Sequence, residues 1–395
     1  MSRIFVDKGR LSPSYIPDKL PHREDQLRTL LSLIEIEDLR KAVYPKCIQV
    51  VGPTGSGKTS SCIRLGKLLE QRALEKGVNL KTVYINLRLE GSSRFMVFKS
   101  MVERVAFEAA SRSLGPDEVL KQFVETLRAR RLVALLVMDE VDFHVRRSKE
   151  TIIYDLTRLS ELTAGESPNV LAVIFIARDP EWTKLLDPAE RSSLGGIRVV
   201  FPPYSKSQVL DILEYRASEA LRPGAAPREV LEFISDLAVQ PPRSGDVRFA
   251  LDVLLYSGTL AEEQGFSYIT VDHVRSVYGR AIDAITLSDL EELSLEEKLV
   301  LLSLAKALST TTAPYVEIDV VEKQLVVTLD ELNVKAKVQM DKAIKMLFEK
   351  GFIEVSGKRA GILMGPLSKL ITLLEDMVLR EARGGRAPAR SGLGQ

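Results

Sequence analysis

GPTGSGKTSS, residues 52–61, decides how the rest of the chain is read. Its Gly-x4-Gly-Lys-Thr spacing, over Gly52, Gly57, Lys58 and Thr59, is that of a phosphate-binding loop. KCIQVV at 46–51 reads as a short apolar strand, and residues 60–69 carry apolar positions at helical spacing. Strand, glycine-rich turn and helix in that order make a cradle of backbone N–H groups that faces an anion. Gly55 and Gly57 permit the turn. Pro53, Thr54, Ser56 and Ser60 are expected beside them against the nucleotide. Lys58 is placed to neutralise the outer phosphates, and the Thr59 hydroxyl suits Mg2+. The expected ligand is a nucleoside triphosphate, ATP, with ADP as its hydrolysis product.

Residues 81–87, 132–138, 171–176 and 197–201 read as further strands. The run LVALLVM at 132–138 is apolar throughout, as in a strand covered on both sheet faces, and it ends in Asp139-Glu140. Beside a phosphate loop, Asp139 is expected to support hydrated Mg2+ and Glu140 to orient the attacking water. The strand at 171–176 exits at Ala177-Arg178-Asp179. Arg178 and Asp179 are candidate sensors of the terminal phosphate, with an ordinary charged strand exit as the equal alternative. Strands alternating with helices predict an α/β fold, an open and mostly parallel sheet with its ligand at the carboxyl ends. Residues 94–131 read as mainly helical, with Phe95, Phe98, Met101, Val102, Val105 and Ala106 as a core stripe. His144 has no companion ligands, so it reads as structural or exposed and not as a metal site.

Pro202-Pro203 closes the sheet region, and helical patterns cover 205–221 and 227–239. Ser244-Gly245-Asp246 starts a helix that presents Arg248 in its first turn, where a lid arginine could reach triphosphate oxygens. Arg191, in PAERSSL at 188–194, supports two readings: a finger on a neighbouring subunit's nucleotide, or a loop arginine. Further on, Ser294-x-x-Glu297 resembles a capping box that opens a helix over 298–308. Residues 315–326 read as a helix or mixed segment. Residues 335–350 read as an amphipathic helix with Val338, Ala343, Ile344 and Leu347 inward. Strand-like residues at 351–356 and 361–364 flank a basic turn at Gly357-Lys358-Arg359. Helices followed by a basic hairpin look like a winged helix. Residues 335–359 hold seven Lys/Arg and three Asp/Glu, a positive surplus that suits phosphate contacts. Lys335, Lys337, Gln339 and Lys342 are the groove-side candidates, with Gln339 able to read adenine and Lys358 and Arg359 at the wing tip. The competing reading is a winged helix that contacts protein.

A chain of 395 residues predicts two or three domains. The expected division is a nucleotide-binding base with an N-terminal extension at 1–203, a helical lid at 204–288, a winged helix at 289–380 and a disordered Gly/Ala/Arg tail at 381–395. A composition that is 45% hydrophobic and 28% charged fits a soluble protein with a sizeable core. No apolar run reaches the roughly 18 residues a membrane span needs, and the first residues lack an apolar signal segment. Two cysteines, Cys47 and Cys62, point to a reducing intracellular location, while a net charge of +1 decides nothing about partners.

Taken in order, LPHRE at 20–24, GPTGSGKT at 52–59, VMDEVD at 137–142, SSL at 192–194 and GDVRFALD at 245–252 resemble the archaeal initiators related to origin recognition complex subunit one and cell-division-cycle protein six. The resemblance runs from residue 20 to about residue 379. It implies an AAA+ ATPase that binds duplex origin DNA with other initiator copies and helps recruit the replicative helicase. It implies a cytoplasmic, nucleoid-associated protein that uses ATP as a switch. It places His22 and Arg23 on the base side of the nucleotide, and residues 88–96, hence Arg88 and Arg94, against DNA. Two departures stand out: Ala177-Arg178-Asp179 where the family commonly has Asn, and a less basic finger region at Pro188-Ala189-Glu190-Arg191. Both predict slow, weak ATP hydrolysis. The alternatives are a clamp-loader or helicase-loader component, or a signalling ATPase, whose winged helix contacts protein.

Overall fold

The computed structural model describes residues 2–34, 45–91, 93–106, 114–148, 152–163, 166–281, 287–363 and 365–382. They form two compact units, one of residues 14–212 with 238–249, the other of the remaining described residues.

In the first unit the apolar strands dictate the architecture. β1 (Lys46–Val51), β2 (Asn79–Asn86), β3 (Leu132–Asp139), β4 (Val170–Ala177) and β5 (Arg198–Val200) pair in parallel, in the order β2-β3-β4-β1-β5. Successive strand residues point to opposite faces. Leu136, Met138, Val173 and Phe175 therefore enter one core while Leu135, Val137, Ile174 and Ile176 enter the other. This is why β3 and β4 are apolar at nearly every position: both faces are covered. Helices Arg94–Val105 and Pro116–Ala129 supply one layer, with Phe98, Met101, Phe123 and Leu127 buried. Helices Glu24–Leu33 and Lys58–Glu75 supply the other through Leu30, Leu65 and Leu69. The expected helical stretch 94–131 is thus two helices, and residues 107–113 lie outside the described residues.

In the second unit, the N-terminal segment is a strap on lid helices. Val6 N and Asp7 N donate to Ala220 O at 2.8 and 3.0 Å, and Arg222 N donates to Ile4 O at 2.8 Å. Ile4 and Phe5 are buried, each contributing about 1.5–3 kcal/mol. A Cβ at Gly258 would lie 2.6 Å from Phe5 Cζ, so helix Val247–Glu263 needs a glycine under the strap.

The C-terminal part holds helices Leu295–Ser309, Ile318–Leu332 and Met340–Glu349 beside an antiparallel sheet ordered β6-β8-β7. Its strands are β6 (Val316–Glu317), β7 (Ile353–Ser356) and β8 (Arg359–Ile362), a winged helix extended by helix Leu367–Ala382. The capping box forms: Glu297 N donates to Ser294 Oγ at 3.3 Å, and Ser294 N to Glu297 Oε2 at 2.7 Å. From helix Val271–Ala281, Arg275 reaches this sheet. Its buried guanidinium donates to Ile362 O at 2.9 Å and Pro314 O at 3.0 Å.

Two expectations need correction. Residues 335–339 are not helical: Val334, Ala336 and Val338 turn to the core while Lys335, Lys337 and Gln339 turn outward. That is a period of two, and the helix begins at Met340 with Gln339 at its N-cap. Residues 315–326, expected as a helix or mixed segment, are mixed: β6 and the start of helix Ile318–Leu332. Glu381 and Ala382 are not tail but the end of the last helix, where Glu381 Oε2 accepts from Lys298 Nζ at 2.8 Å. The rest of the expected tail, 383–395, lies outside the described residues, as does Met364 of the expected return strand. No helix among the described residues is long and apolar enough to cross a membrane.

Candidate functional site: a phosphate cradle and a basic wing

β1 delivers the chain to the glycine-rich turn, and the sheet order sets β3 two strands away with its acidic end on the same edge. Gly55 has φ +70, and a Cβ there would lie 1.9 Å from Asp246 Oδ1. Gly57 has φ +84, and its Cβ would lie 2.7 Å from Tyr204 Oη. Both positions exclude side chains by conformation and by contact. Lys58 is buried, with Nζ donating to Gly52 O and Pro53 O at 2.7 Å each. Burial pushes its pKa down to about 8, opposed by the nearby Asp139 charge.

Asp139, at the end of β3, joins three donors. Its Oδ2 accepts from Thr59 Oγ1 at 2.7 Å and Tyr84 Oη at 2.8 Å, and its Oδ1 accepts from Glu140 N at 2.8 Å. A carboxylate and a hydroxyl that already touch beside the phosphate loop are hard oxygen donors of the kind Mg2+ takes, so Thr59 and Asp139 fit that ion. Burial and Asp139 both push the Tyr84 phenol up, keeping it a donor.

Glu140 follows in the left-handed region, φ +60. Its Oε1 is ion-paired with Arg178 Nη2, and Arg88 Nη1 stands 3.9 Å from its Oε2. Asp142 fixes the end of β4: its Oδ2 accepts from Arg178 N at 3.2 Å and Asp179 N at 3.3 Å. Asp179 itself pairs with Arg146. His144 is buried with Nδ1 3.2 Å from Gly91 O, and burial lowers its pKa, as suits a structural histidine.

The far side of the cradle is held by Arg23. Arg23 is 2% exposed, and its guanidinium carbon lies 3.7 Å from the Tyr204 ring centroid. Nε donates to Ser56 O at 2.8 Å, Nη2 to Pro202 O at 2.7 Å and Nη1 to His22 O at 2.9 Å. Arg23, which the resemblance set on the base side of the nucleotide, thus ties the loop carbonyl of Ser56 to those of Pro202 and His22. His22 Nε2 lies 2.8 Å from Asp211 Oδ2. Asp246 Oδ1 accepts from Arg248 N at 2.9 Å and Phe249 N at 3.2 Å, which starts helix Val247–Glu263 and leaves the Arg248 side chain exposed in its first turn. Residues 188–194, expected as a loop, form helix Pro188–Leu194 with a capping box at Asp187 and Glu190, and from it Arg191 folds back on the preceding turn, donating to Thr183 O, Lys184 O and Leu186 O at 3.2, 3.3 and 3.0 Å.

In the winged helix, Lys335, Lys337, Gln339, Lys342, Lys358 and Arg359 are all exposed. Arg94 differs from the expectation of a DNA-facing charge. Asp155 and Asp117 bind it at 2.9 and 2.6 Å, so its charge is already partnered within the chain. Arg88 lies over the Phe143 ring at 5.0 Å, near Glu140.

A family model described as AAA domain matches residues 41–186, and one described as Cdc6 AAA+ ATPase-type lid domain matches residues 210–279. The ORC1-type DNA replication protein of Desulfurococcus amylolyticus is 32% identical over 321 residues, 80% of this chain and 79% of that protein. The chain belongs to the ORC1-type replication initiator family. The Cdc6p structure from Pyrobaculum aerophilum superposes with a TM-score of 0.81 at 27% identity, covering 96% of this chain and all of that one. The ORC1 protein of Aeropyrum pernix in complex with DNA is similar at TM-score 0.64 and 28% identity, covering 97% of this chain and 98% of that one.

This ORC1-type protein is therefore an AAA+ core with a Cdc6-type lid and a winged helix. Sequence reasoning missed Tyr84, Asp142, Tyr204 and Asp246 as parts of the site. Asp142 stood inside the quoted VMDEVD motif and Asp246 inside GDVRFALD. Tyr84 and Tyr204 carry no local signal, because each acts on a residue distant in the chain.

Proposed function

We propose that this protein binds duplex DNA at replication origins through its winged helix, under control of ATP that it hydrolyses slowly with Mg2+. The observation that carries the reading is the joint presence of the Lys58–Thr59–Asp139 cradle and an exposed basic wing in one ORC1-type chain. The Aeropyrum pernix ORC1 complex with DNA supports the duplex as ligand.

In this reading the triphosphate lies along residues 52–60 and Lys58 turns from the carbonyls of Gly52 and Pro53 to its outer phosphates. Thr59 and Asp139 would hold Mg2+, which when bound offsets charge on the phosphate oxygens. Glu140 accepts a proton from the attacking water as its oxygen bonds to the terminal phosphorus, and the bridging oxygen leaves with ADP. Arg248 approaches the phosphates from the lid side, and His22 borders the base. Arg191 acts as a finger only if it leaves the carbonyls of residues 183–186. Lys335, Lys337, Lys342, Lys358 and Arg359 contact phosphates, while Gln339 faces base edges. Arg88, next to the exposed Leu89, is a second point of DNA contact. Other initiator copies on DNA and the replicative helicase are the protein partners. The division into base 1–203, lid 204–288 and winged helix 289–380 goes with this reading, except that residues 2–13 pack on the lid helices.

Footprinting on chromosomal fragments with ATP, with ADP and with Lys58→Ala tests nucleotide control and duplex recognition together. Replacing Lys358 and Arg359 by Ala should weaken binding to many duplexes and reduce the salt slope by about 2. An unchanged slope would remove the wing from the interface. Full-chain protein that leaves every duplex unprotected at low salt would return weight to a loader whose winged helix contacts protein.

A further inference from the structure

Glu140 stands between two guanidinium groups. Arg178 is paired with Oε1, and Arg88 lies 3.9 Å from Oε2. The Glu140 side chain is 17% exposed, so this carboxylate is held where protein, not bulk water, surrounds most of it. Arg178 is itself well placed. The end of β4 is fixed by Asp142, whose Oδ2 accepts from the backbone N–H groups of both Arg178 and Asp179. The side chain leaves that fixed point at 41% exposure and can swing without disturbing the core. Its positive charge also opposes that of Lys58, which puts it within electrostatic reach of the phosphate lysine.

We propose that Arg178 is a latch on Glu140, and that the terminal phosphate of a bound triphosphate competes for the same guanidinium and so releases the carboxylate to the attacking water. The inference rests on the reading of Glu140 as the residue that orients that water. A carboxylate whose Oε1 is held by one guanidinium, with a second cation 3.9 Å from Oε2, has fewer lone pairs facing a water and is electrostatically restrained. A dianionic terminal phosphate is the stronger acceptor for a planar fork, so exchange favours ATP over ADP. Turnover then depends on how often Arg178 leaves Glu140. An asparagine at this strand end has no charge with which to hold the carboxylate so firmly, which makes the latch a consequence of arginine at position 178.

The test measures steady-state ATPase of the full chain and, separately, equilibrium binding of fluorescent ATP and ADP analogues in EDTA. For Arg178→Ala the expected result is a kcat raised about two- to fivefold, with KM for ATP raised as the phosphate contact is lost. Its preference for ATP over ADP should fall while ADP affinity stays as in the unaltered protein. Arg178→Lys keeps a charge without the fork and should lie between. In the Glu140→Gln background Arg178→Ala should give no gain. A kcat that stays level or falls in Arg178→Ala overturns the latch, and an unaltered ATP-over-ADP preference overturns the exchange with phosphate. Full activity in Glu140→Gln alone would instead remove the water-orienting role, a separate failure.

Discussion

Replacing Arg275 by Met should loosen the winged helix from the lid helix that holds it. Methionine retains much of the aliphatic stem and removes every donor. The guanidinium is 2% exposed and donates to Ile362 O and Pro314 O at 2.9 and 3.0 Å, with Asp272 Oδ1 3.4 Å away and the Phe233 ring beneath it at 5.6 Å. Burial lowers its pKa, a sign that this cation is held in place against a desolvation penalty. Loss of the donors strands two carbonyls, each at a cost of about 1–3 kcal/mol. Removal of the buried charge returns part of that. The net is about 2–3 kcal/mol, or roughly 30- to 150-fold in the population of the opened contact. Hydrogen exchange read by mass spectrometry on peptides covering 311–318 and 359–363 measures this directly. Exchange in those peptides should accelerate by about that factor, and the parallel sheet should be unaffected. Arg275→Lys, which can reach one carbonyl, should fall between the two. A folded Arg275→Met protein with unchanged protection in β8 would refute the reasoning.

Three further outcomes follow from the cradle. Burial holds the Lys58 pKa at about 8, below its ordinary 10.5. The unfolded chain therefore binds more protons between those values, and the lysine's own contribution to stability rises with pH across them. Phosphate binding works the other way because it needs the cation: ATP affinity should fall as pH rises from about 7 to about 9, with proton uptake seen by calorimetry in two buffers. A flat profile would exclude Lys58 as the titrating group. Gly55→Ala sets a Cβ 1.9 Å from Asp246 Oδ1 at φ +70, so ATP affinity should drop at least about tenfold, and unaltered affinity would mean the turn is not held by Asp246. Tyr84→Phe deletes a donor to Asp139 and should lower stability by about 1 kcal/mol in chemical denaturation; no change would make that hydrogen bond energetically silent.

Where a residue's role follows from its near neighbours in sequence, the sequence was readable. Gly52 to Thr59 between β1 and its helix, Asp139-Glu140 at the end of β3, and the capping box at Ser294–Glu297 all depend on local spacing. The doubly covered strands were visible as uninterrupted apolar runs. Residues 335–339 misled because KAKVQ satisfies a helical period when joined to the amphipathic DKAIKMLFE, yet taken alone alternates two by two. Asn333 at φ +51 ends the preceding helix, and the alternation then carries the chain in extended form to Met340. Nothing in the sequence around Arg94, Arg275 or Arg23 showed what each would be bound to. Their partners lie at Asp155, Pro314 and Pro202, separations that no local pattern encodes. The strap was hidden for the same reason, since nothing near Ile4 and Phe5 announces Ala220 or Gly258.

The shape of the phosphate loop is set mostly by residues outside it. Arg23 ties Ser56 O to Pro202 O and stacks on Tyr204. Tyr204 in turn crowds Gly57 through its hydroxyl and Gly245 through its backbone, where a Cβ would lie 2.3 Å from Tyr204 O. Asp246, next along, touches Gly55 and caps the first turn that carries Arg248. Residues 202–204 are thus a rigid spacer with the cradle on one side and the start of helix Val247–Glu263 on the other. Gly55 cannot move toward or away from an incoming phosphate without changing its separation from Asp246, and Asp246 cannot shift without re-aiming the turn that holds Arg248. Any displacement of Gly55 is thereby passed through Asp246 to the first turn of helix Val247–Glu263.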